Sequence, residues 1–219
     1  MKRLLAFTLA ETLIVMGVIG VVAALTLPNL NQSTNNKEKV TKLQKLYSNL
    51  NDAYGRATAV YGPIDEWQSA SNEKLAERLL EFMKYTKYCG SDENSSCWFE
   101  KNSLKLPIAS VADGTSIVFY YKGCSTENDC GELIVDLDGP RKGSHTYGKT
   151  IFRFYITKQN GVIPFGDTAS NCFSDHASKC TKWVIENGNM DYLKANSSGR
   201  CPNGTTLSES ANPPVVSCN

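Results

Sequence analysis

The chain has 219 residues, 23 Lys and Arg against 22 Asp and Glu, and a formal charge of +1. That balance excludes the strongly basic surface by which a nucleic-acid-binding protein is recognised, and no nucleic acid is expected among its partners. Once about 30 residues are set aside for an apolar N-terminal stretch, the remainder suffices for one globular domain with a continuous core. Eight cysteines and two histidines, His145 and His176, complete the unusual features of the composition.

The chain opens with a short basic leader, MKRLLA, and then an apolar run from Phe7 to Leu27 in which Glu11 is the one ionisable side chain. As a helix this run would rise about 31 Å, which matches the hydrocarbon core of a bilayer. A secretory signal would place its small residue after a shorter apolar core, whereas Ala6 lies before the run, so the apolar segment is expected to be retained. Lys2 and Arg3 lie on the side expected to stay cytoplasmic, which puts everything after Pro28 outside the cytoplasm. A carboxylate inside an apolar helix costs about 3 kcal/mol on insertion scales, so Glu11 calls for a partner or an interfacial position.

In order and spacing, the leader, the small residue, Phe7, the T-L-A-E-T-L-I-V run and Pro28 resemble the type IV pilin family, including the pseudopilins of type II secretion. The resemblance implies cleavage by a prepilin peptidase between Ala6 and Phe7, N-methylation of Phe7, and a pairing of Glu11 with the Phe7 amine of a neighbouring subunit during assembly. Ala6 stands where the family commonly has Gly, and Ala10 and Thr12 flank the Glu where larger apolar residues are common.

Pro28 lacks a donor and is expected to kink or interrupt the helix where the apolar run gives out. Beyond it, Val40, Leu43, Tyr47, Leu50, Tyr54, Ala57 and Tyr61 recur at alternating spacings of three and four, with Leu46, Ala53 and Val60 widening the stripe, and Gly62-Pro63 stops it. If the helix bridges Pro28 it runs from Phe7 to Tyr61, about 80 Å, half in lipid and half in the domain. Four segments follow: residues 1–6 as leader, 7–30 as the membrane or filament-core half of the helix, 31–62 as its amphipathic half, and 63–219 as an extracytoplasmic globular domain.

Within that domain Leu75, Leu79, Leu80, Phe82 and Met83 mark a second helix over Asn72–Tyr85, capped by Ser71 or Asn72. The period then changes. Ser103–Val111 and Thr115–Tyr121 read as strands joined at Asp113-Gly114, and further strands are expected at Glu132–Asp138, Thr150–Thr157 and, after the Asn160-Gly161 turn, Val162–Phe165. Lys179–Leu193 reads as a short helix or buried turn, and Asn196–Asn219 as a polar tail. The expected fold is α+β: a long N-terminal helix, apolar in its membrane half and amphipathic in the other, packed on a small antiparallel sheet of four or five strands with disulfide-closed loops. The segment VDLDGPRKGSHTYGKTIFRFYITKQNGVIPFG also resembles the sheet region of pseudopilins.

The cysteines fall as sequence neighbours, Cys89 with Cys97, Cys124 with Cys130, Cys172 with Cys180 and Cys201 with Cys218. Even number and extracytoplasmic placement argue for disulfides, and neighbour pairing is the simplest of the connectivities open to eight cysteines. Zinc would want C-x-x-C pairs or more histidines. No nucleophile elbow, phosphate-binding loop or H-E-x-x-H motif is present, and Ser144-His145 is no triad, so no enzymatic activity is expected. Asp136 and Asp138 are weak calcium candidates, since the resemblance implies a calcium loop in major pseudopilins. The adjoining Gly139-Pro140-Arg141-Lys142 supplies two cations and no carboxylate, so the pair reads first as a turn cap, and no cofactor is expected.

Taken together, the resemblance implies a structural subunit of a type IV pilus-like filament, most specifically a type II secretion pseudopilin. It would be held as a single-pass protein of the bacterial inner membrane and found in a periplasmic or surface filament after assembly. Its partners would be other pilin or pseudopilin subunits, the prepilin peptidase and the inner-membrane assembly platform. A minor tip pilin with an adhesive role is the alternative, and a membrane-anchored enzyme a remote one.

Overall fold

The computed structural model describes residues 9–67, 71–124, 129–141, 143–166, 172, 177–194, 208–209 and 216–217. It divides into two compact units, Met1–Glu38 and Lys39–Asn219, and the first helix, α1 (Leu9–Tyr61), contributes to both. Pro28 falls inside the bounds of α1.

In the second unit α1 buries the stripe its spacing predicts: Leu43, Leu50, Ala53 and Ala57 are fully covered, and Val40, Leu46 and Tyr54 nearly so. Val60 and Tyr61, at the end of the expected stripe, are exposed instead. Gly62 stops the helix in the left-handed region at φ +80°, where a side chain would be strained, and its N–H donates back to the Thr58 carbonyl. Trp67 then folds under the end, donating its indole N–H to the Gly62 carbonyl at 2.8 Å. The second helix, α2 (Asn72–Leu80), is capped by Ser71, whose hydroxyl accepts from the Lys74 N–H at 3.2 Å. It buries Leu75, Ala76, Leu79 and Leu80.

The sheet has six antiparallel strands in sequence order: β1 (Tyr85–Gly90), β2 (Ile108–Val111), β3 (Ser116–Tyr121), β4 (Asp129–Asp136), β5 (Ile151–Thr157) and β6 (Gly161–Pro164). Alternation sorts the strand residues onto two faces. Ala109, Val111, Ile117, Phe119, Leu133, Val135, Phe152 and Phe154 point to the face that packs against α1 and α2, where Tyr47 stacks on Phe154 with centroids 5.6 Å apart. Ile108, Val118 and Ile134 point the other way, into a smaller core closed by Cys97, Trp98 and Leu106. A short helix, α3 (Thr181–Asn187), buries Trp183 and Val184 and ends at Gly188 in the left-handed region. A two-stranded ribbon pairs β7 (Ser208–Glu209) with β8 (Val216–Ser217).

The expected fold is corrected in its first half. Among the described residues no helix is long and apolar enough to cross a membrane. The described apolar part of α1, Leu9 to Val22, holds Glu11, Thr12 and two glycines. The sheet is also larger than the four or five strands expected. Residues 85–90 form β1, while Ser103–Pro107 are turn and irregular backbone, so that strand begins only at Ile108.

Candidate functional site

Two places carry the features singled out in the sequence. The first is the start of α1. Leu9 is 83 % exposed, and Leu13, Ile14, Val15, Met16, Val18, Ile19, Val21 and Val22 are all more than half exposed. This is an apolar surface offered on every side of a helix, larger than a monomeric protein ordinarily leaves in water. Glu11 lies on α1 among these side chains, and it too is exposed. Thr12 turns its hydroxyl back to the Leu9 carbonyl at 2.8 Å, which takes its polarity out of the surface. Ala6 and Phe7, the expected processing site, lie outside the described residues.

The second place is the turn after β4. Asp136 is fully buried; its carboxylate accepts the Asp138 N–H at 3.2 Å and meets Nδ1 of His145 at 2.8 Å. Burial raises the Asp136 carboxyl above its ordinary range, against the lowering effect of the His145 hydrogen bond. His145, at φ +44°, lies flat on Phe99 with centroids 4.3 Å apart. Asp138 accepts from Lys39 of α1 at 2.9 Å, and Lys42, one turn further on, donates to the Asp113 carbonyl at 3.1 Å and to the Leu137 carbonyl. A Cβ on Gly143 would fall 2.1 Å from the Asp138 carboxylate, so only glycine lets the loop close here.

Asp136 and Asp138 are therefore brought together, with each carboxylate occupied by a group of the chain itself. Calcium takes six to eight oxygens, and here an ammonium holds Asp138, an imidazole holds Asp136, and Lys42 takes the Leu137 carbonyl between them. No group of three or more metal-binding side chains occurs among the described residues. What the arrangement does is fix α1 to the end of β4 through two lysines. The sequence pointed to Arg141 and Lys142 as the nearby cations. Lys39 and Lys42 come from nearly a hundred residues earlier, a pairing that no local pattern announces.

A third cluster was missed altogether. On the face of the sheet away from α1, Glu132 is nearly buried between Arg153, which donates to it, and Lys122, whose ammonium is 3.3 Å from its other oxygen. Lys122 also lies over the Tyr155 ring at 5.1 Å and Arg153 over Phe165 at 4.9 Å. Desolvation lowers the affinity of both cations for their protons, yet Glu132 carries each above its ordinary range. Charge at alternate positions of neighbouring strands was the signal available, since Glu132 and Tyr155 are register partners and Arg153 faces Ile134.

Disulfides join Cys89 to Cys97, Cys124 to Cys130 and Cys172 to Cys180, as neighbour pairing predicts. Cys201, Cys218 and His176 lie outside the described residues. Comparison with protein-family models, curated proteins and solved structures finds no match to this chain.

Proposed function

We propose that the chain is a structural subunit of a type IV pilus-like filament, of the pseudopilin kind, assembled by packing of the N-terminal helices. The observation that carries the reading is the exposed apolar surface of α1 from Leu9 to Val22, which begins just after the Ala6-Phe7 motif and surrounds the carboxylate of Glu11. Water-exposed leucine, isoleucine and valine gain free energy when helices of other subunits cover them, at about 25 cal/mol per Å² of apolar surface. The three bridged cysteine pairs support placing the second unit outside the cytoplasm. The reading calls on contact between helices and not on a membrane span.

Prepilin peptidase and other pilin-like subunits are the partners under this proposal. Glu11 has a defined task in it: it faces the Phe7 amine freed by cleavage on the next subunit, whose positive charge stabilises the carboxylate when apolar neighbours cover it. Glu11→Gln in the native host tests it. The variant is expected to be cleaved after Ala6, as read by intact mass, and to fold its outer unit, but to be lost from sheared filaments. Normal incorporation, or a mature chain that does not begin at Phe7, overturns the proposal.

A further inference from the structure

Four Asn-x-Ser/Thr triplets occur in the chain, at Asn31, Asn94, Asn196 and Asn203. Such a triplet is the acceptor signal for N-linked glycans where it lies on a surface loop outside the cytoplasm. Asn31 falls within α1, where the backbone is committed to helix, and Asn196 and Asn203 lie outside the described residues. Asn94 is different. It sits in the loop between β1 and β2, closed at its start by the Cys89–Cys97 bridge. Asp92 also places a carboxylate two residues before it, whereas the same position holds Asn29, Lys194 and Cys201 in the other three.

The loop turns the whole signal outward. Asp92, Asn94 and Ser96 are exposed, whereas Ser95 and Cys97 are buried. Buried Asn102 brackets the stem: its backbone N–H donates to the Glu93 carbonyl at 2.9 Å, its side-chain amide donates to the carbonyls of Asp92 at 3.2 Å and Leu106 at 2.8 Å, and its amide oxygen accepts the Leu106 N–H at 3.0 Å. The Asp92 carboxylate then accepts the Asn94 N–H at 3.0 Å, which bends the chain at the acceptor. Ser95 turns its hydroxyl inward to accept the Cys97 N–H at 3.2 Å, while the Ser96 hydroxyl stays at the surface and accepts from Lys87 at 2.7 Å. Among the described residues nothing holds the side-chain amide of Asn94, so its nitrogen is open to a reagent.

We propose that Asn94 is an N-glycosylation site, modified by an oligosaccharyltransferase whose donor is a glycan carried on a polyprenyl diphosphate and which holds the Asp92 carboxylate by a cationic group. In the transfer the side-chain nitrogen of Asn94 bonds to the anomeric carbon of the first sugar, and the bond from that carbon to the diphosphate oxygen breaks. The polyprenyl diphosphate leaves, and the proton given up by the amide passes to a carboxylate of the enzyme. The inference rests on the filament-subunit reading only for the placement of the second unit outside the cytoplasm.

Mass spectrometry of the full chain from its native host, on the peptide carrying Asn94, tests it. The mass increment of an oligosaccharide is expected on Asn94, and it should be absent from Asn94→Gln and from Ser96→Ala, which keeps the acceptor but removes the hydroxyl of the signal. Asp92→Asn keeps an oxygen for the Asn94 N–H and removes the charge, and it should lower occupancy about tenfold where the enzyme is limiting, as for the loss of a charge-assisted contact. All three substitutions are at exposed positions, so the thermal midpoint should not move. A bare Asn94 overturns the inference, as does an increment that survives Ser96→Ala or is undiminished in Asp92→Asn. A bare Asn94 in normally formed filaments overturns it alone and leaves the subunit reading standing. A glycan on Asn94 of a chain that forms no filament upholds the inference and overturns that reading.

Discussion

One helix is treated in two opposite ways along its length. From Val40 to Ala57 the apolar side chains of α1 are inside, with Leu43 and Leu50 wholly covered by β-sheet. From Leu9 to Val22 side chains of the same kinds are more than half exposed, and they surround the helix instead of forming a stripe. The amphipathic part has its cover within the chain, because charged residues such as Lys45, Asp52 and Arg56 occupy the remaining face. The N-terminal part has no polar face to turn outward. The free energy of burying it is left for another molecule to supply, and this difference is what the filament proposal uses.

The largest expected effect tests whether the second unit is held by its own devices. Its three described disulfides close loops with sequence separations of 8, 6 and 8 residues, and each such loop stabilises by about 2–3 kcal/mol in the chain-entropy account. Reduction should therefore cost about 7 kcal/mol, comparable with the whole stability of an ordinary domain. Urea titration with and without reductant would show it, as a collapse of the cooperative transition. A midpoint that barely moves would mean that the sheet core alone suffices.

Next in size is Leu50→Ala. Leu50 is fully buried in the core between α1 and the sheet, so truncation removes transfer energy and leaves a cavity, about 2–5 kcal/mol together. Equilibrium unfolding measures it directly. A loss below about 1 kcal/mol would mean that the site collapses without penalty, and the amphipathic part would then differ little from the exposed part.

Much of the second unit was legible in the sequence because burial wrote a period into it. The three-and-four spacing of Leu43, Leu50 and Ala57 gave the helix, Asp113-Gly114 gave the first hairpin, and the apolar runs gave β3 to β6. β1 was invisible for the same physical reason: Tyr85, Thr86, Lys87 and Tyr88 are all exposed on an edge strand, so no face selects apolar residues. Ser103–Pro107 misled because extended-looking residues are there bent by the Asn102 bracket. The candidate carboxylates were visible as a pair, but their cations were not, since Lys39 reaches Asp138 only after α1 docks. The expected membrane span is not met among the described residues, where no helix is long and apolar enough to cross a membrane.

The smallest effect on stability carries the most weight for the comparison. Leu13 is 69 % exposed in the first part of α1, and Gln matches Leu closely in helix propensity. Leu13→Gln should then leave the unfolding free energy within about 0.5 kcal/mol of the unaltered chain, as for other surface substitutions. Filament incorporation should fall nevertheless, because the polar amide would be buried among apolar helices of neighbouring subunits without an assured partner. Urea titration and shear fractionation of the same preparation separate the two quantities. A stability loss near that of Leu50→Ala would mean that Leu13 is covered within its own chain, and the distinction between the two parts of the helix would vanish. Unchanged stability together with unchanged incorporation would leave the exposed surface without a role in assembly, since a helix–helix contact built on these side chains must respond when one of them is made polar.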